Sequence, residues 1–419
     1  MRVLVLNSGS SSIKYQIVEV FDGEFSQDFK IGPVLLRGSV KGIGGIGTLE
    51  PVAEGKALKT ISHPTPNHHV AIQWIFDHLE QHNNETEHSV SLSDVEAVGH
   101  RVVHGGNRFT QPVIIDKAVE DEIEALSELA PLHNPACLEG IRGARALMGP
   151  TVPMVAVFDT AFHQTMPVKA KTYALTHELA SRHHITRYGF HGIAHASLAN
   201  GYATYVGKPL SANRIITLQL GNGCSVTAIA SGKSVETSMG FTPLEGLVMG
   251  TRSGDIDPSV ISYLAEREKV EAPEVERWLN ETSGLLGISG KTHDMREIVQ
   301  AAIHEQDERA QLAIDLFCYR AKKYIGAYLA VLGGADAIVF GGGIGEASPD
   351  IRERICEGMI WCGLQLDQAR NTAAVGLQPG HGAKISQENS SVNAYVVAAD
   401  EETWIARKAV RCLKTTHEV

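Results

Sequence analysis

The most constraining feature of the sequence is a segment that occurs twice in similar form. The first copy, VLVLNSGSSSIKYQIVEV, begins at Val3, and the second, IITLQLGNGCSVTAIASG, begins at Ile215. In each copy an apolar strand ends in a tight turn of Gly, Ser and Asn, and an alternating strand follows. The repetition favours two related domains, whose turns face one cleft and direct backbone N–H groups at a polyphosphate. Two unrelated hairpins are the alternative that so short a match leaves open.

Length and composition agree with a two-domain globular protein. The chain has 419 residues, of which 43% are hydrophobic and 20% charged, and one domain usually takes roughly 100–200 residues. The net charge of −11, without a cluster of basic and aromatic residues, argues against nucleic acid as a partner. The six cysteines lack zinc-site or disulfide spacing, which suits reduced thiols. The apolar run at 3–6 is too short for a signal peptide or membrane span, so we expect a cytoplasmic protein without a membrane partner.

Short apolar runs alternate with helical patterns along the chain, which predicts a mixed α/β fold with buried strands. The predicted strands are VLVLN, VPMVAVFD, RIITLQL and DAIVFGGG. The predicted helices span residues 117–130, 136–148, 308–332, 349–359 and 401–413.

Three segments rich in small residues adjoin predicted strands and are candidates for phosphate binding. They span residues 7–12, 221–223 and 341–346. Glycine allows backbone N–H groups to approach an anion closely, and the third segment precedes a predicted helix whose N-terminus favours negative charge. GISGKT at 287–292 is not a Walker A motif, because Leu285 stands where its first glycine belongs. GGGIGE does not fit GxGxxG, which argues against a dinucleotide fold.

Four polar residues are candidates for the chemistry. Arg101 follows an apolar run and Arg252 lies in a Gly/Thr/Ser segment, so either guanidinium can clamp a carboxylate or phosphate, or serve as a salt-bridge partner. Asp159 ends the run VPMVAVF, where a carboxylate is reactive or caps a helix. His191, in YGFHG, either donates to a transferring phosphoryl group or is a structural donor.

The motifs together resemble the acetate kinase family from one end of the chain to the other. They are LNSGSSSIKY, GHRVVHGG, APLHNP, VFDTAFHQTMP, RYGFHG, LGNG, MGFTPLEGLVMGTRSGDIDP, SGLLGISG, FGGGIGE and DEE. The resemblance implies the fold of the acetate and sugar kinase, Hsp70 and actin superfamily, with two duplicated RNase H-like domains around a central nucleotide cleft. It implies an N-terminal RNase H-like domain at 1–159, completed by the C-terminal helix at 402–419, and a nucleotide-binding domain at 160–401.

The resemblance also implies roles for the residues that act on the carboxylic acid. The implied catalytic residues are Asp159, His191 and Arg252. Arg101 is implied to bind the substrate carboxylate. The implied pocket for the methyl group consists of Val103, Leu132, Phe190 and Pro243.

Further residues are implied to bind the nucleotide and the metal ion. Asn7 and Glu401 resemble the magnesium-site residues, where Mn²⁺ is an expected substitute. The implied nucleotide-binding residues are Lys14, Gln219, Leu220, Gly221, Asn222, Gly223, Asp294, Met295, Arg296, Gly343, Ile344, Gly345, Glu346 and Ala347. Two of these depart from the family pattern, since Gln219 replaces a histidine and Ala347 an asparagine. The departures bear on phosphate affinity and nucleotide preference.

The activity implied by the resemblance is reversible, Mg²⁺-dependent transfer of the ATP γ-phosphoryl group to acetate, which gives acetyl phosphate and ADP. A carboxylate is already ionised at pH 7, so we expect in-line positioning and charge neutralisation rather than a strong base. The resemblance implies a homodimer. Propionate and butyrate are alternative substrates, although Val103 favours acetate. A nucleotide-switched binding protein of the Hsp70 or actin type is a second alternative, opposed by the lack of a peptide-binding domain.

Overall fold

A computed structural model describes residues 1–22, 29–53, 56–81, 91–131 and 133–417. The chain divides into two compact units, of which the first comprises Met1–Ala161 and Glu401–Val419 and the second Phe162–Asp400.

The elements up to residue 158 are given first, in chain order. The strands are β1 (Arg2–Ser8), β2 (Ser12–Asp22), β3 (Phe29–Lys41), β4 (Gly45–Ala53), β5 (Lys56–Ala57), β6 (Ile61–Thr65), β7 (Ala97–Val102), β8 (Val113–Ile114) and β9 (Met154–Phe158). The α-helices are α1 (His68–Gln81), α2 (Lys117–Ala125) and α3 (Asn134–Met148), and short 3₁₀ helices span Leu92–Asp94 and Leu126–Glu128.

The remaining elements follow in the same order. The strands are β10 (Arg214–Leu220), β11 (Cys224–Ala230), β12 (Lys233–Thr237), β13 (Ala337–Gly341), β14 (Gly382–Lys384) and β15 (Asn393–Val397). The α-helices are α4 (Val168–Lys171), α5 (His177–Arg182), α6 (Gly192–Val206), α7 (Ser259–Glu268), α8 (Ala272–Glu281), α9 (Gly284–Ser289), α10 (Met295–His304), α11 (Glu308–Leu332), α12 (Gly342–Ala347), α13 (Pro349–Cys356), α14 (Gln368–Ala373) and α15 (Glu401–His417). Short 3₁₀ helices span Ala161–Thr165, Leu210–Ala212 and Met359–Cys362.

Each unit contains one mixed sheet, and the two sheets share a connectivity. The sheet of the first unit has the order β5-β4-β3-β2-β1-β7-β9-β8, and the sheet of the second has β12-β11-β10-β13-β15-β14. In both sheets three antiparallel strands are followed by two parallel ones, β7 and β9 in the first and β13 and β15 in the second. The predicted α/β fold is therefore confirmed, and the repeated segments form the equivalent hairpins β1–β2 and β10–β11.

The C-terminal helix α15 belongs to the core of the first unit. It packs on β1, β7 and β9, and Ile405, Ala409 and Leu413 are buried. The helix approaches the sheet closely at Gly99, where a Cβ would lie 2.9 Å from Ile405 Cγ2. Burial of one apolar face therefore holds this helix. Within the described residues, no helix combines the length and apolar character needed to cross a bilayer.

The segment GGGIGE was predicted as a glycine-rich loop but is mostly helical. Residues 342–347 form the short helix α12, which begins directly after β13. Gly342 has φ +76°, and a Cβ there would lie 2.6 Å from the Leu220 carbonyl oxygen. Glycine at 342 therefore permits the sharp change from strand to helix beside β10. Helical boundaries also differ, because the helix predicted at 117–130 ends at Ala125 and the one predicted at 349–359 ends at Cys356.

Buried neutral histidines of the first unit predict acid sensitivity. Burial lowers the pKa of His104 to about 4, and the Gly106 N–H donates to His104 Nδ1 at 3.0 Å. In the unfolded chain this histidine has its higher, ordinary pKa, so unfolding takes up a proton at acidic pH. The free energy of unfolding is therefore unaffected by this group above about pH 6.5 and falls as the pH is lowered toward 4. Between pH 7 and pH 5, we expect the free energy of unfolding to fall by about 2 kcal/mol less in His104→Gln than in the unaltered protein.

Urea denaturation at both pH values measures this difference, and His69→Gln, which removes an exposed imidazole from the same unit, is the control. An equally steep loss of stability in His104→Gln and the unaltered protein would contradict the assignment.

Candidate active site

In the first unit, Arg101 joins the ends of three neighbouring strands. Its Nε and Nη2 donate to Asp159 Oδ2 at 3.0 and 2.6 Å, and its Nη1 donates to Asn7 Oδ1 at 3.0 Å. Asn7 lies on β1, Arg101 on β7, and Asp159 directly follows β9. These strands are parallel neighbours, so their carboxyl ends meet at one edge of the sheet. The fold thus brings these three predicted residues together.

The Arg101–Asp159 pair is charged and leaves one oxygen of Asp159 without a hydrogen-bond partner among the described residues. Burial alone would lower the pKa of Arg101, but attraction from Asp159 and Glu401 outweighs it and raises that pKa. Asp159 is 1% exposed, and its Oδ1 has no hydrogen-bond partner among the described residues. A buried oxygen without a partner is costly unless a ligand satisfies it. Asp159 Oδ1 is therefore suited to a cation or to a donor on a substrate.

Glu401 adds a second carboxylate to this unit. Burial raises its pKa to about 7; Arg101 and Lys14 oppose the shift, while Glu402 and Asp159 reinforce it. Lys14 is exposed and pairs with Asn7 in the β1–β2 register. Within the described residues no group of three His, Cys, Asp or Glu side chains forms a metal cage. Mg²⁺ usually binds one or two carboxylates together with phosphate oxygens, so oxygen donors from Asn7, Asp159 and Glu401 fit this ion.

The predicted methyl-pocket residues divide between the units. Val103 lies just after β7 and is 3% exposed. Leu132 lies outside the described residues. In the second unit Phe190 is buried and Pro243 is partly buried.

In the second unit, His191 and Arg252 approach the same glycine. A Cβ on Gly223 would lie 3.3 Å from His191 Nε2 and 3.7 Å from Arg252 Nη1. His191 precedes α6 with φ 58° and ψ 23°, a left-handed conformation that is uncommon for a non-glycine residue and is often found at functional sites. Glycine at 223 therefore keeps open the space that the imidazole and the guanidinium share.

Arg252 has no charged partner in the part of the chain that the structure describes. Its Nη1 donates to the Pro243 carbonyl oxygen at 3.2 Å and contacts Met249 Sδ at 3.8 Å. Among the described residues, no carboxylate forms a salt bridge with it. Burial lowers the pKa of Arg252, with a small opposing effect of Cys224. A partly buried guanidinium without a carboxylate is costly on its own, so this position is suited to an anionic ligand.

Most of the predicted nucleotide segments line one cavity in the second unit. Its volume is about 600 Å³, within the usual range for small-molecule sites. The predicted residues in its lining are Gly221, Asn222, Asp294, Met295, Arg296, Gly343, Ile344 and Ala347. The structure brings together the three sequence segments that carry them. A cavity of about 750 Å³ beyond α13 has a lining without any predicted residue.

Five other predicted nucleotide residues of this unit do not line the cavity. They are Gln219, Leu220, Gly223, Gly345 and Glu346. Glu346 instead connects two backbone segments, because its Oε1 accepts from the N–H groups of Gly342 at 2.9 Å and Ala399 at 3.0 Å. Lys14 lies in the first unit.

Arg352 supports the cavity wall and was missed by sequence reasoning. Its side chain is fully buried. The guanidinium donates to the carbonyl oxygens of Gly345 at 2.9 Å and Glu346 at 3.0 Å, at the end of α12. It also donates to Asn371 Oδ1 at 2.7 Å and to the carbonyl oxygens of Asn371 at 2.6 Å and Ala374 at 3.1 Å. Burial lowers the pKa of Arg352 to about 10, and carbonyl oxygens take the place of a carboxylate partner.

Comparisons with known proteins agree on one family. A sequence model of the acetokinase family matches residues 2–407. The acetate kinase of Solibacter usitatus is 48% identical over 415 residues, which cover 99% of this chain and 98% of that protein. The crystal structure of Porphyromonas gingivalis acetate kinase superposes with a TM-score of 0.87 at 39% identity, covering 98% of this chain and 99% of that one. The crystal structure of a propionate kinase from Francisella tularensis superposes with a TM-score of 0.85 at 38% identity, covering 98% of this chain and 99% of that one.

Proposed function

Because the chain belongs to the acetokinase family, we propose that it catalyses the reversible transfer of the ATP γ-phosphoryl group to acetate, giving acetyl phosphate and ADP. The observation that carries this proposal is the pair of side chains at Gly223. His191 Nε2 and Arg252 Nη1 approach one open position, and no described carboxylate neutralises Arg252. Fixed donors and positive charge around a transferring phosphoryl group are the main catalytic requirement of phosphoryl transfer.

The surroundings of Arg101, Asp159, Asn7 and Glu401 support a proposed role for each of them. Arg101, held in one orientation by Asp159 and Asn7, is proposed to bind the acid through its carboxylate. The acid is already ionised at neutral pH, so Asp159 positions Arg101 and need not remove a proton. Asn7, Asp159 and Glu401 are proposed to hold Mg²⁺, which when bound would neutralise charge on the phosphate oxygens. The cavity of about 600 Å³ is proposed to hold the nucleoside.

Formation of acetyl hydroxamate from acetate, ATP and hydroxylamine tests the activity directly. We expect hydroxamate to form at a rate that depends on enzyme, ATP and Mg²⁺. ATP hydrolysis that is independent of a carboxylic acid, with no hydroxamate, would contradict the proposal and would favour a nucleotide-switched binding protein.

The size of the acid is proposed to be limited by Val103. A methylene in an apolar pocket changes transition-state binding by about 1–3 kcal/mol, and buried Val103 is the side chain whose reduction enlarges such a pocket. We expect Val103→Ala to raise the ratio of kcat/KM for propionate to that for acetate by about tenfold. Kinetics with acetate, propionate and butyrate measure the ratio. A propionate preference in the unaltered protein would reassign it as a propionate kinase.

The proposal also covers the domain organisation, the assembly and the cellular location. We propose that the units at Met1–Ala161 with Glu401–Val419 and at Phe162–Asp400 correspond to the two RNase H-like domains. We also propose a cytoplasmic homodimer. Light scattering and cell fractionation test the assembly and the location.

A further inference from the structure

A chain of hydrogen bonds leads from the sheet of the second unit to His191. Thr217 Oγ1 lies 2.7 Å from His195 Nδ1, His195 Nε2 lies 2.7 Å from Ser225 Oγ, and Ser225 Oγ lies 2.9 Å from His191 Nδ1. Thr217, His195 and Ser225, which we call the relay, are all 0% exposed. None of them has a part in the reaction proposed above.

The fold fixes the position of each relay residue. Thr217 on β10 and Ser225 on β11 occupy diagonal positions of an antiparallel pair, since Thr217 pairs with Thr227 and Gln219 with Ser225; such neighbours point to the same face of the sheet. His195 lies on α6 one turn after His191, and its N–H donates to the His191 carbonyl oxygen at 2.9 Å. The relay is therefore set by rigid elements and not by a loop.

The number of available protons gives the relay a direction. Among the described residues, His195 Nδ1 is the only hydrogen-bond partner of the Thr217 hydroxyl. A buried hydroxyl leaves its proton without an acceptor unless it donates, so Thr217 donates to His195 Nδ1. A neutral His195 then carries its proton on Nε2 and donates to Ser225 Oγ, and the Ser225 hydroxyl donates to His191 Nδ1. A neutral His191 consequently carries its proton on Nε2.

Burial, reinforced by neighbouring histidines, keeps His195 neutral. Burial lowers the pKa of His195 well below its ordinary value, and His163 and His191 lower it further. The His163 ring lies 6.0 Å from that of His195, and Lys171 lies near His163. On the other side of His191, its Nε2 faces Gly223 and Arg252, and Cys224 lies near Arg252. Among the described residues that shift the pKa of His195, none is a carboxylate.

We propose that the relay holds His191 in the tautomer with a proton on Nε2, so that this nitrogen is a donor toward the space at Gly223 without the imidazole having to be charged. Thr217, His195 and Ser225 are positioning residues in this scheme. The proposal rests on the function proposed above, because the acceptor it implies is an oxygen of the transferring phosphoryl group. A neutral donor can assist at pH values above the usual histidine titration.

Nitrogen NMR of protein labelled with ¹⁵N-histidine tests the tautomer without reference to activity. The chain has 19 histidines, so the spectrum of His191→Gln identifies the His191 signals by their loss. In the unaltered protein at pH 8 we expect the correlation pattern of an Nε2-protonated imidazole. In Thr217→Val, which removes the donor three hydrogen bonds away, we expect the signals to shift toward the Nδ1-protonated form. Thr217→Ser keeps the hydroxyl and should retain the original pattern.

Kinetics supply the second readout. We expect Thr217→Val to lower kcat by about tenfold, a typical effect of one lost buried hydrogen bond, with little change in KM for ATP, and Thr217→Ser to restore it. Ser234→Ala is the matched control, because Ser234 Oγ also lies 2.9 Å from a buried histidine Nδ1, that of His163, whose Nε2 lies 2.9 Å from the Phe190 carbonyl oxygen. It should leave the His191 signals unchanged.

Two results would overturn the proposal. One is an Nδ1-protonated His191 in the unaltered protein, with the signals assigned by their loss in a folded His191→Gln protein. The other is a folded Thr217→Val protein with an unchanged His191 spectrum. An unaltered protein that makes no acetyl phosphate would refute the proposed function instead, and the spectrum would still decide the tautomer.

Discussion

Arg252→Ala is expected to lower kcat by about 10²- to 10³-fold, the usual effect of removing one donor that acts on developing charge. The KM values for acetate and ATP should change much less, because a contact made mainly in the transition state contributes little to ground-state binding. The physical basis is the position of Arg252 Nη1 beside His191 Nε2 at Gly223, without a carboxylate partner in the described structure. Arg252→Lys keeps the charge but loses the planar guanidinium, so we expect only partial recovery.

A structural role of Arg252 can be separated from a catalytic one with Arg320→Ala. Arg320 also donates to a backbone carbonyl near this segment, that of Gly246 at 3.0 Å, but it pairs with Asp255 at 3.4 Å. Steady-state kinetics on both variants should show a large loss of kcat in Arg252→Ala alone. A raised KM with unchanged kcat in Arg252→Ala would assign the residue to ground-state binding.

Asp159→Ala should produce the largest loss of stability, about 3–5 kcal/mol in the free energy of unfolding. The change removes the carboxylate that accepts from Arg101 Nε and Nη2 and leaves a mostly buried guanidinium without its hydrogen-bonded counter-charge. Equilibrium urea denaturation followed by circular dichroism measures the loss. We also expect the activity to fall, because Arg101 is no longer held in one orientation.

The chain offers a matched control for this effect of burial. Lys117 Nζ and Asp121 Oδ1 are also 2.6 Å apart, the same distance as in the Arg101–Asp159 pair, but their side chains are 76% and 57% exposed. Exposed pairs are screened by water and contribute little, so Asp121→Ala should unfold at the same urea concentration as the unaltered protein. Equal midpoints for Asp159→Ala and Asp121→Ala would show that the buried pair is not needed for stability.

Local patterns in the sequence predicted much of the fold and part of the site. The two hairpins were predictable because apolar alternation and a glycine-rich turn are contained in short segments. Arg101 and Asp159 were recognisable because each follows or ends an apolar strand. Their roles in catalysis stay predictions, as does that of Leu132, which lies outside the described residues.

Features that depend on distant parts of the chain were not predictable in this way. Thr217 and Ser225 are ordinary polar positions of their strands, and only the β10–β11 register and the packing of α6 place them against His195. Among the described residues, Arg352 donates to carbonyl and amide oxygens and to no carboxylate, so no opposite charge in the sequence indicates that it is buried. The helix α12 was missed because glycine is a poor helix former, and the proximity of Gly342 to Leu220 becomes apparent only in the folded sheet.

The placement of α15 in the first unit has a consequence for folding during synthesis. The ribosome makes Met1–Ala161 before Phe162–Asp400, yet the helix that covers β1, β7 and β9 is made only after Phe162–Asp400. Until then, the apolar surface around Gly99 lacks Ile405 and Ala409 as its cover. The second unit is continuous in sequence and has all of its own residues before α15 emerges. The order of completion therefore reverses the usual N-terminal-first order, and the nascent first unit depends longest on protection from aggregation.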